Sequence, residues 1–138
     1  MTDKTIQLER LDNVNEFLKL IGSTGRQFFN DRDSGCYAEF ELDARGRVWF
    51  YDDYTQSRIY THFSGRWRQF SHGGTLKNLV ILLRDHIKKN KKISADYFSS
   101  NWHFGGLHPW GYDEVSLEKI RLKGLQLGIV AIEKTSGG

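Results

Sequence analysis

Between residues 36 and 70 the apolar side chains recur at every second position, with turn residues at short intervals, whereas on either side of that block they recur every three or four. This change of period constrains the chain more than any other feature, because a two-residue period lines one face of a strand and a 3.6-residue period lines one face of a helix. Upstream, Val14, Phe17, Leu18 and Ile21 predict an amphipathic helix from residue 13 to about 24, with Asn13 and Glu16 spaced as a capping box and Gly22 and Gly25 as its stop. Downstream, Leu76, Leu79, Val80, Leu83 and Ile87 predict a second helix with Thr75 as N-cap. Lys88, Lys89, Lys91 and Lys92 suit its C-terminal end.

The block between the two helices reads as four strands, over residues 36–43, 47–52, 58–63 and 66–70. Ala44-Arg45-Gly46, residues 53–57 and the pair Ser64-Gly65 turn the chain, which makes a four-stranded antiparallel meander. Phe40, Leu42, Val48, Phe50, Ile59 and Phe63 fall on its apolar face, to be covered by the second helix. Glu39, Glu41, Arg47, Trp49, Tyr51, Arg58, Tyr60 and His62 fall on the other. The fourth strand admits either a Trp67 face or an Arg66, Arg68 and Phe70 face. Residues 93–112 form an aromatic ordered loop, Asp113 caps a last helix to about residue 127, Gly128 stops it, and residues 129–132 add an edge strand before a frayed tail at 135–138. The fold class is α+β, as a single domain over residues 1–138, with helices at both ends.

Composition narrows the function classes. A chain of 138 residues is long enough for one core. Its longest apolar run, residues 79–83, is far short of the roughly 18 residues of a membrane span, and its polar opening is no signal peptide. Cys36 is the lone cysteine, so neither an internal disulfide nor a multi-cysteine zinc site can form, which points to the cytoplasm. The net charge of +3 hides a division: residues 58–92 hold nine Lys/Arg against one acidic residue, while residues 1–57 hold seven against eleven. Such a local surplus attracts nucleic acid, phosphates or an acidic protein surface, unless it is only a solvated face.

Several strings carry a resemblance: Gly46-Arg47-Val48-Trp49-Phe50-Tyr51-Asp52-Asp53-Tyr54, Arg58-Ile59-Tyr60-Thr61-His62, and Gly65-Arg66-Trp67-Arg68-Gln69-Phe70-Ser71-His72-Gly73-Gly74-Thr75-Leu76. With Gly25-Arg26-Gln27-Phe28-Phe29 and Trp110-Gly111-Tyr112, they make the chain similar to a family of small uncharacterised accessory proteins from phages, prophages and other mobile elements. The resemblance implies that context and carries over no catalytic residue.

Four constellations are candidates for chemistry. Arg47, Trp49, Tyr51, Arg58, Tyr60 and His62 would set rings beside guanidinium groups on one sheet face, where bases stack and phosphates are neutralised; the plain alternative is cross-strand pairing. Arg66, Arg68, His72, Gly73 and Gly74 precede a helix whose free N–H groups could hold an anion, although the glycines also suit a tight turn. His62, His72, His86, His103 and His108 lack the spacing of a zinc motif, so no metal and no cofactor is expected. His62 or His72 acting on a phosphodiester beside Arg66 or Arg68 is a third reading, and Cys36 reads as packing. Trp102, Trp110 and Tyr112 would form an exposed anchor for a protein partner or else close the core. The leading expectation is a non-enzymatic accessory protein that binds nucleic acid; the second is a protein-interaction factor such as an inhibitor of a host defence complex.

Overall fold

The computed structural model describes residues 3–99, 108 and 110–132. The predicted tail at 135–138, together with Trp102 and His103, lies outside them. Helix α1 (Asp3–Gly22) begins ten residues before the predicted start at Asn13, which is interior to the helix and not a cap. Upstream of Val14 only Leu11 reaches the core, so the apolar period announces the helix where it meets its neighbours and not where it starts. Val14, Phe17, Leu18 and Ile21 are fully buried.

The predicted first strand is split. Ala38 is buried and donates its N–H to the Phe29 carbonyl at 2.9 Å, which separates a short ladder of β1 (Asn30–Asp31) and β2 (Cys36–Tyr37) from β3 (Glu39–Leu42). Strands β3, β4 (Val48–Tyr51) and β5 (Arg58–Tyr60) form an antiparallel sheet in that order. In its register Phe40 lies opposite Phe50 and Phe50 opposite Ile59, all three buried, while Trp49 pairs with Glu41 and Tyr60 on the outer face. Asn15 of α1 closes the free edge of β3: its amide donates to the Phe40 carbonyl at 3.0 Å and its carbonyl accepts the Phe40 N–H at 2.6 Å.

The fourth strand does not form, so the meander has three strands. Residues 66–70 turn, with the Phe70 N–H donating to the Trp67 carbonyl at 3.1 Å. The reason is spacing: Trp67 and Phe70 both pack inward, three residues apart, and a strand sends such positions to opposite faces. The Phe70 ring sits 5.5 Å from Phe50 and 5.7 Å from Trp67. Strand β5 also stops at Tyr60, leaving Phe63, expected on the apolar face, 55% exposed.

Helix α2 (Gly73–Lys89) starts two residues before Thr75, with His72 at the N-cap position and no side chain capping it. It ends on Asn90 in the left-handed conformation. Strand β6 (Ile93–Ser94), a 3-10 turn (Ala95–Phe98), helix α3 (Glu114–Gln126) and β7 (Val130–Ala131) complete the described chain. Asp113 does cap α3, accepting the Ser116 N–H at 2.7 Å, and Gly128 ends it with φ +77°. The last strand pairs in parallel with β6 and not with the meander.

Two helices, not one, cover the apolar sheet face: α1 packs on β3, α2 on β4, and α3 packs against the far side of α1. The Tyr112 hydroxyl donates to the Ile21 carbonyl at 3.1 Å and accepts the Phe28 N–H at 3.2 Å, tying both ends of the described chain together. Among the described residues no helix is long and apolar enough to cross a membrane.

Candidate nucleic-acid interface

The outer sheet face gathers Arg47, Trp49, Arg58 and Tyr60, as their parity requires. The Trp49 and Tyr60 rings lie 5.3 Å apart, the Arg58 guanidinium sits 4.6 Å over the Trp49 ring, and Arg47 lies 5.8 Å from it. Each of these arginines already has a carboxylate: Arg58 with Glu41 at 2.6 Å and Arg47 with Asp43 at 2.7 Å. The Trp49 indole N–H donates to Asp43 at 3.0 Å. That bond, with those from the Arg47 and Arg45 backbone and the Arg47 side chain, holds the Asp43 carboxyl well below the usual carboxylate range. His62 lies 5.8 Å from Tyr60, and burial followed by the Arg84 charge pushes its imidazole below its ordinary value, so it adds no positive charge near neutral pH. The face is therefore a charge-compensated network whose largest ring is covered by Arg58.

The uncompensated charge lies at the sheet edge. Where a fourth strand would pair with β5 there is a groove of about 500 Å³, lined by Tyr60, Phe63 and Trp67 and flanked by Arg58, Arg66 and Arg68. Arg66 and Arg68 are exposed, and among the described residues neither has an acidic partner. The Trp67 indole N–H donates to the Phe63 carbonyl at 2.9 Å, and a Cβ on Gly65 would meet the Phe63 ring at 2.5 Å. Gly65 thus lets the Phe63 ring fold across its own turn. Sequence parity missed Phe63 and Trp67 as groove residues; their i, i+4 spacing about Ser64-Gly65 was the available signal.

His72, Gly73 and Gly74 belong to a separate cavity of about 320 Å³ at the start of α2, which also includes Arg26 and Trp110. The His72 Nε2 meets a buried Asp53 oxygen at 2.5 Å. Asp52, Asp53 and His72 are close enough to share a cation, yet Asp52 already accepts the N–H groups of Tyr54, Thr55 and Ser71 and the Ser71 hydroxyl. Those bonds make Asp52 a buried anchor between the β4–β5 turn and the entry to α2. Among the described residues the hydrogen-bond partner of the His72 ring is Asp53.

Trp110 and Tyr112 are 2% and 5% exposed, so they close the core and offer no exposed anchor. His108 is buried with Nε2 on the Tyr97 carbonyl at 2.8 Å and Nδ1 accepting the Trp110 N–H at 3.3 Å. In the basic segment, Arg84, Lys88 and Lys92 bind the carbonyls of Thr61, Gly46 and Gly128, so part of the charge surplus serves to hold the chain.

A family model described as YoqU matches residues 4–136 of the chain. The chain is also 27% identical over 126 residues to the SPbeta prophage-derived uncharacterized protein YoqU of Bacillus subtilis (strain 168), a match that covers 90% of this chain and 85% of that protein. No solved structure matches.

Proposed function

The chain belongs to the YoqU family, and from that premise we propose that it is a non-enzymatic prophage accessory protein that binds single-stranded nucleic acid along the groove beside β5. One observation carries the reading: the Tyr60 and Phe63 rings line a groove, floored by the buried Trp67, whose flanks hold two arginines without acidic partners among the described residues. Unpaired bases present flat faces to Tyr60 and Phe63, while Arg66 and Arg68 neutralise the backbone that follows them. Duplex bases are stacked on each other and offer no such face, which favours single strands. The outer sheet face, with Arg47 and Arg58 already paired, supports the wall of the groove through the packing of Trp49 on Tyr60 and does not itself stack bases.

Fluorescence anisotropy with short labelled oligonucleotides across a salt series tests this. Replacing Arg66 and Arg68 together with Ala is expected to flatten the plot of log affinity against log salt by about 0.7 for each phosphate no longer neutralised, or roughly 1.4 in all. Phe63→Ala, at an exposed position, should remove about 1 to 3 kcal/mol of stacking with little cost to stability. Unchanged affinity and slope in a folded double variant would refute the reading and leave the same charges to an acidic protein surface.

A further inference from the structure

The groove accounts for only part of the positive charge, and the rest has an order. Lys77, Arg84 and Lys88 of α2 are spaced so that a 3.6-residue period brings all three to one flank of the helix. Each is held there by the chain beside it. Lys77 Nζ lies 4.6 Å from the centre of the Trp67 ring, an Arg84 guanidinium N–H donates to the Thr61 carbonyl at 2.7 Å, and Lys88 Nζ donates to the Gly46 carbonyl at 2.7 Å. The flank thus begins at the floor of the groove and ends about 16 Å away, at the turn between β3 and β4.

These contacts fix the three cations without cancelling them. A ring face and two carbonyls carry no net charge, and among the described residues only Arg84 of the three has an acidic partner, Asp85 at 2.9 Å. His62 lies partway along: its ring is 5.8 Å from Tyr60 on the groove wall, and Arg84 binds the carbonyl of the residue before it. The charges acting on His62 are Arg84, Lys88 and Lys89 against Asp85, all on α2. Beyond it, α1 and the end of α2 form a recess of about 300 Å³ where Arg10, Lys88 and Lys89 meet, with no acidic side chain in its described lining. Arg10 is held in place by its Nε–H, which donates to the Ile87 carbonyl at 2.9 Å.

We propose that a single strand bound in the groove continues past His62 along this flank of α2, and that its phosphates reach a second site in the recess of Arg10, Lys88 and Lys89. The proposal rests on the nucleic-acid reading of the groove and extends it. The groove supplies ring faces and the flank supplies cations, so bases are held in the first part and backbone in the second. A nucleic-acid backbone carries one charge per nucleotide, which suits a line of separated, prepositioned cations. A phosphate beside His62 favours the charged imidazole, so occupancy of this path takes up a proton.

Anisotropy titrations with oligothymidylates of about four and about ten nucleotides, each across a salt series, test the path. The longer strand is expected to show a log–log salt slope steeper by about 2, at about 0.7 for each further phosphate neutralised. Lys88→Gln with Lys89→Gln should remove about 1.4 of that difference and leave the slope of the shorter strand unchanged. NMR of the wild type gives a readout that needs no substitution: the His62 ring should titrate at higher pH in the complex with the longer strand and not with the shorter. Equal slopes for both lengths with an unmoved His62, while Arg66 and Arg68 still control binding, overturn the path and leave the groove reading intact. A steeper slope that survives the lysine changes with His62 unmoved also overturns it, by placing the added nucleotides elsewhere. Absence of binding at either length overturns both.

Discussion

Lowering the pH from neutral to about 4.5 should destabilise this protein through His86. His86 is 2% exposed on the inner face of α2, and its Nδ1 meets the Lys91 carbonyl at 3.2 Å. Burial, helped by the charges of Lys92 and Arg10 and opposed by that hydrogen bond, pushes its pKa from 6.5 down to about 4. The folded chain therefore takes up this proton less readily than the unfolded chain. Stability due to the neutral ring is complete above about pH 6.5 and is lost as the pH falls towards 4. The two values give a loss of about 1.4 kcal/mol at about pH 5.5 and about 2.6 kcal/mol at about pH 4.5. Asp43 and Asp113, whose carboxyls are held below their ordinary values by hydrogen bonds from Trp49 and Ser116, lose their contributions only at lower pH. The assay is urea denaturation of the wild type and His86→Gln at about pH 7.5, 5.5 and 4.5, each protein compared with itself, so that the cost of the substitution cancels. Equal pH slopes in the two proteins, or a native His86 ring titrating near 6.5 by NMR, would refute the reasoning.

Two further substitutions test the fold that supports both sites. Asp52→Ala strands the N–H groups of Tyr54, Thr55 and Ser71 and should cost about 3 kcal/mol or more, whereas Asp52→Asn keeps an acceptor and should cost less; equal and small losses in urea would show that Asp52 is no anchor. Gly124→Ala should lower the melting temperature although alanine is the better helix former, because the new Cβ would press on Val130 and lie 3.2 Å from the Phe17 ring; a loss of about 1 to 3 kcal/mol is expected and a gain would contradict the packing of α1, α3 and β7.

Features with local signals were readable from the sequence. Asp113 and Gly128 bound α3 because capping and left-handed turns depend on neighbouring residues alone. Phe40, Val48, Phe50 and Ile59 share a face because parity is enough to place them. The groove was not readable, since it exists only because Trp67 and Phe70 both turn inward and break the alternation that predicted a fourth strand. The charge state of the outer face was hidden for a similar reason. Arg58 and Glu41 lie 17 positions apart and meet only once β3 and β5 flank β4. Arg26 reached the cavity by the same kind of long return, as Tyr112 and the neighbouring Trp110 fold back beside the end of α1.

That return also sets the order in which the chain can fold. The Tyr112 hydroxyl bridges Ile21 and Phe28, 91 and 84 positions earlier, so the N-terminal helix finds the partners on its second side only after nearly all of the chain described has left the ribosome. Until residue 98 is made, Phe17 lacks the Phe98 ring on which it packs in the folded protein. Long-range closures of this kind slow the last step of folding, because the loop entropy is given up before the closure contributes anything. A nascent chain halted before residue 112 would thus expose an apolar helix face, which makes the interval before release the period in which this protein is most open to chaperones and proteases.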